Sequence, residues 1–170
     1  MKRIGLLASM ILLFVGIGMN NASAQKLKLG HVQVDSIFLI MPDRTQAEQE
    51  LQQYSKQLEN KLMTMNAELE SKYNEYLEES ETWPATMKQD KEEELNGLQQ
   101  RIQNFQTRAQ QDLQTKESEL LQPIYEKIRH AIKDVAEEDG FTYIYDASML
   151  LYKSDDSINI TKKVKAKLSL

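Results

Sequence analysis

A 170-residue chain with no cysteine cannot rely on disulfides or thiolate metal sites, and 26 acidic against 21 basic side chains give a net charge of −5 that disfavours nucleic acid as a partner. Lys2 and Arg3 precede an apolar run from Ile4 to Met19, and Ala22-Ser23-Ala24 follows as a small-x-small cleavage signature. Residues 1–24 therefore read as a secretory signal peptide cleaved near Ala24, with an apolar run too short for a membrane anchor. The exported mature chain then has 146 residues and a charge of −7.

After the leader, Leu27 to Val34 reads as one short, partly alternating β-strand. Asp35-Ser36 is expected to cap a brief apolar helix that stops at Pro42. His31 stands alone on the strand, where a single histidine is a structural residue rather than a ligand. Asp43 is the expected N-cap of a first long helical arm, about 57 Å long over Asp43 to Ser80 at roughly 1.5 Å per residue.

Along this arm Ala47, Leu51, Tyr54, Leu58, Leu62, Met65, Leu69, Tyr73 and Tyr76 recur in steps of three and four, which makes one apolar stripe. Met63 lies just off it. At Thr82-Trp83-Pro84 the chain bends, with Thr82 as expected cap and Pro84 in the first turn of the returning helix. Trp83 there either staples the two helices or touches a partner, with Met87 beside it. The second arm continues the pattern through Leu95, Leu98, Ile102, Phe105, Ala109, Leu113 and Leu120, then Ile124, Ile128, Ile132 and Val135. Many of these positions also align at a period of eleven, which favours nearly straight or slightly right-handed pairing, although any helix near 3.6 residues per turn produces such columns.

Folding the arms together places Pro42 and Pro123 at the same height, where arms meet base. Pro123 removes a backbone donor from a helical pattern and reads as a hinge; a rigid, merely bent helix is the alternative. Gly140 ends the helix. Phe141 to Asp146 and Met149 to Tyr152 then read as two strands of a hairpin, and Thr161 as the cap of a final basic helix containing Val164 and Leu168. Asn159-Ile160-Thr161 matches a glycosylation triplet by chance.

Charge is uneven: residues 43–122 hold 17 acidic and 9 basic side chains, the rest of the mature chain 9 and 10. The arms thus carry −8, most densely around the bend, which reads as a solvated surface. The chain has no nucleophile beside a base, no Gly-rich phosphate loop and no paired histidines at metal-ligand spacing, so it does not read as an enzyme, and no cofactor or metal is expected. A lone helical hairpin is marginal against the conformational entropy of ordering it, and a base of roughly sixty residues with open strand edges invites completion by further copies. The fold class is mainly α: a long antiparallel helical hairpin on a small β body.

The stretches LKLGHVQVDSIFLIM (Leu27–Met41) and GFTYIYDASMLLYKSDDSINITKKVKAKL (Gly140–Leu168), in that order around the hairpin, resemble the Skp/OmpH family of periplasmic chaperones over nearly the whole mature chain. The resemblance implies a homotrimer, with a β-rich trimerisation body (25–42 and 123–170) carrying helical tentacles (43–122). It implies an ATP-independent holdase that cages unfolded outer-membrane proteins in the periplasm, without stable membrane insertion. Subunit contacts are then expected at Leu29, Val32, Val34, Phe141, Tyr143, Ile144, Tyr145, Leu150 and Tyr152, client contacts at Met63, Trp83 and Met87, and hinges at Pro42 and Pro123. Family tentacles are often basic and these are acidic, so binding of lipid or lipopolysaccharide is not carried over. The rival reading is a structural or adaptor coiled-coil protein of the envelope that docks a fixed partner at Trp83 and Met87.

Overall fold

The computed structural model describes residues 27–170; the leader read over 1–24 lies outside the described residues. Strand β1 (Leu29–Val32) leads into a short helix α1 (Val34–Phe38), and then into α2 (Pro42–Glu79), the first arm. A single 3-10 turn (Ser80–Thr82) reverses the chain into α3 (Ala85–Asp139), followed by β2 (Tyr143–Asp146), a second 3-10 turn (Ala147–Met149), β3 (Ile158–Asn159) and α4 (Thr161–Lys167). The mainly α architecture and the antiparallel helical hairpin stand as expected from the stripes.

Helix starts differ from expectation in one consistent way: among the described residues, none of the four helices uses a side-chain cap of its own. Pro42 opens α2, where its missing N–H costs nothing, and Asp43 sits in the first turn, where its charge complements the helix dipole. Thr82 belongs to the reversing turn and donates its hydroxyl to the Glu79 carbonyl at 2.8 Å, while α3 begins after Pro84. Gln33, rather than Asp35 or Ser36, precedes α1.

The sheet is where sequence and structure part most clearly. Its order is β2-β1-β3 and both pairings are parallel, with Leu29 opposite Tyr143, His31 opposite Tyr145, and Gly30 opposite Ile158. The expected hairpin between Phe141–Asp146 and Met149–Tyr152 does not form. Asp146 instead accepts from the Ser148 amide and turns the chain away, leaving Leu151 and Tyr152 exposed outside the sheet. The third strand comes from Ile158–Asn159, and the two helical arms themselves provide the crossover that parallel β1 and β2 require.

One core lies beneath this sheet. Ile124, Ile128, Ala131 and Val135, spaced by four, three and four, turn one face of α3 toward Val32, Ile37, Ile160 and Val164, all at most 4% exposed. Phe38 stacks on Tyr125 at 4.8 Å between ring centres and pins α1 to α3. Gly30 admits Phe141 against the strand, since a Cβ there would lie 2.8 Å from the Phe141 ring. Gly140 takes the left-handed conformation at φ 69°, and the Phe141 amide reaches back to the Ala136 carbonyl, which closes α3. The Asn159-Ile160-Thr161 triplet is structural: Ile160 is 1% exposed, Asn159 Oδ1 accepts from the Thr161 amide, and Thr161 Oγ1 accepts from the Gln33 amide, both at 2.9 Å.

Candidate functional site

Two surfaces remain after the core is filled. The first is the outer face of the sheet. Period-two alternation and the parallel register place Leu29, His31, Tyr143 and Tyr145 together on it, the two tyrosine rings 6.3 Å apart. They adjoin a hollow of about 670 Å³ lined by Leu27, Leu29, Tyr145, Leu150, Tyr152 and Ile158, with Lys28, Lys153 and Asp156 also on its walls. Leu29, Tyr143, Tyr145 and Ile158 are 44–55% exposed, and Tyr152 is 82% exposed. So much apolar surface on one side of a small body exceeds what scattered surface residues explain.

His31 forms part of the floor of this hollow and is only 3% exposed, with Lys153 Nζ 3.4 Å from its Nε2. Burial first, and the Lys153 charge second, hold its pKa below the usual histidine value, so the neutral imidazole is favoured. Among the described residues, β2 and β3 each pair only with β1, which leaves both outer strand edges unpaired.

The nine residues expected at this surface divide. Leu29, Tyr143, Tyr145, Leu150 and Tyr152 are on the outer side. Val32 is 2% exposed inside the chain's own core, and Val34, Phe141 and Ile144 pack against that core. Leu27, His31 and Ile158 also line the hollow but were missed. For His31 the alternation along β1 held the signal; Ile158 pairs with Gly30 rather than with Leu29 or His31, and only the folded hollow shows it.

The second surface is the arms. Their seam is thin: Leu51, Leu58, Leu62, Met65 and Leu69 are only half-buried, and beyond the root only Leu98 (1%) and Ile102 (6%) are fully covered. Polar ties cross it near the tip, where Lys72 pairs with Glu94, Lys91 with Glu75 at 2.8 Å, and the Tyr76 hydroxyl donates to Glu92. Those contacts lower the Glu94 pKa and raise those of Lys91 and Tyr76.

Trp83 meets Tyr76 edge-on at 5.9 Å and carries Lys91 over its ring at 5.6 Å, the arrangement of a staple. Met63 is 69% exposed and Met87 41%. Tyr73, expected in the seam, is instead 51% exposed, because its place in the stripe is taken by Lys72, which reaches across to Glu94.

At the root, α3 runs through Pro123 without a break. A hollow of about 180 Å³ lies there between Ala47, Leu120, Pro123 and Ile124, spanned by the Asp43–Lys127 ion pair at 2.6 Å. Among the described residues no three His, Asp or Glu side chains converge as a metal site, and no helix is long and apolar enough to cross a membrane.

A family model described as outer membrane protein (OmpH-like) matches residues 28–168. Among solved structures, a candidate OmpH-like outer membrane chaperone from Caulobacter crescentus superposes with a TM-score of 0.70 at 13% identity, over 84% of this chain and 83% of that one. No curated protein matches at a significant level.

Proposed function

The chain belongs to the OmpH-like outer membrane protein family, and on that premise we propose that it is a periplasmic chaperone. Its activity is that of an ATP-independent holdase: three copies join through the outer faces of their sheets, and their paired arms enclose an unfolded outer-membrane protein. The observation that carries this reading is the apolar outer face of the sheet, since a body that leaves Leu29, Tyr143, Tyr145 and Tyr152 to water gains most by covering them with copies of itself.

The arms suit a client that must be held and released. A half-buried seam bends easily, and many weak contacts on several arms add up through multivalency while each remains reversible. The Pro42–Pro123 level is the proposed hinge. Pro123 removes one backbone hydrogen bond from α3, and the hollow beside it gives Leu120 and Ile124 room to shift. The stapled position of Trp83 weighs against a reading in which the tip docks one fixed partner.

Two measurements test this. Sedimentation of the processed chain at micromolar concentration should give a three-chain species, and a compact folded single chain would overturn the cage. Dilution of a urea-unfolded outer-membrane β-barrel into the protein should suppress light scattering at about one trimer per client without nucleotide; undiminished aggregation would overturn the holding activity.

A further inference from the structure

The exposed apolar residues of α2 are not scattered. Met63, Tyr73 and Leu77, 69%, 51% and 57% exposed, share one helix face with Glu59 and Glu70, in steps of four, seven, three and four from Glu59. Each of the five follows a member of the inter-arm face by one position (Leu58, Leu62, Leu69, Lys72, Tyr76). The stripe therefore lies about 100° round the helix from the seam, clear of α3. It is a second amphipathic face, in which apolar side chains lie beside carboxylates and which the hairpin leaves uncovered.

Its charge is largely uncompensated. Lys72 and Lys91 are engaged by Glu94 and Glu75, Arg44 by Glu48, and Asp43 by Lys127. That leaves 13 of the 17 carboxylates and 6 of the 9 cations of residues 43–122 without a salt bridge among the described residues. Glu70 has no cationic partner there, and Glu59 accepts only from the Ser55 hydroxyl. An approaching chain thus meets apolar contact sites set in a negative field.

We propose that this stripe holds the client, and that it selects unfolded segments in which lysine or arginine side chains are interleaved with apolar ones. The occupant is fixed by complementarity. A purely apolar segment would strip water from Glu59 and Glu70 without replacing it, and an acidic segment would be repelled, whereas a basic apolar segment satisfies both kinds of group at once. This deepens the holding function and rests on it.

The test uses the full processed protein and one urea-unfolded outer-membrane β-barrel in three forms: unmodified, with its lysines succinylated, and with its carboxylates amidated by ethylenediamine. The amidated form should bind about tenfold more tightly than the succinylated one at low salt, with the gap closing at high salt, as expected for a few exposed ion pairs. Glu59→Gln with Glu70→Gln should narrow that gap while leaving the helical circular dichroism unchanged. Tyr73→Ser with Leu77→Ser should weaken all three forms alike. Equal binding of the three forms overturns the charge selection yet leaves holding intact, and failure to bind any form removes both.

Discussion

The base and the arms draw on the same apolar residue types and differ in how many sides of each one are covered. In the base, Ile37, Ile128, Ile160 and Val164 are enclosed by helix, sheet and a second helix, and none exceeds 1% exposure. In the arms, Leu58, Leu62 and Leu69 meet one neighbour across a single seam and stay half-open. Apolar burial stabilises in proportion to the area removed from water, so equal side chains contribute unequally in the two regions. The base should unfold as a unit, and the arms should open locally from the tip.

The largest effect should come from the base. Ile128→Ala is expected to cost about 2 to 5 kcal/mol in urea unfolding, and Leu69→Ala in the seam only about 1 kcal/mol. Equal losses would erase the distinction between the regions. Next, Gly30→Ala should cost about 1 to 3 kcal/mol, because the added methyl drives the Phe141 ring off the strand.

A pH titration follows. His31 has a lowered pKa when folded, so above the ordinary value of 6.5 both states are neutral and stability is complete. Below 6.5 the unfolded chain takes up the proton first, and stability falls as pH drops toward the folded value. His31→Asn should flatten that part of the profile, and an unchanged slope would show that other groups dominate. The smallest effect is expected at the tip. Trp83 is the one tryptophan, so its emission reports the bend separately from the base. It should change at lower urea than far-ultraviolet circular dichroism, and Lys91→Ala should alter the emission without moving the global midpoint; coincident transitions would mean that the two regions melt together.

The arms were legible because a seam between two helices imposes a period that few other structures share, and Leu51 to Tyr76 keep it for seven turns. The sheet was less so. Met149 to Tyr152 is as apolar as a buried strand and lies a short turn from Phe141–Asp146, which reads locally as a hairpin. Yet the partner of β2 is more than a hundred residues upstream, and a strand as brief as Ile158–Asn159 has no periodicity to detect. Of the exposed arm residues, Met63 off the stripe could be read directly from its spacing. Tyr73 could not, since whether position 72 or 73 faces the other helix depends on Lys72 reaching Glu94.

The parallel pairing of β1 also sets an order of events in time. Its two neighbours, Tyr143–Asp146 and Ile158–Asn159, and the Val164 that seals the floor beneath it all come from the last 28 residues of the chain. A polypeptide emerging amino end first must therefore keep β1 waiting, with Leu29, Val32 and Ile37 unsheltered, until more than a hundred further residues have appeared. Closure is late by construction, and the two rods can zip well before the knot that ties their roots is drawn shut.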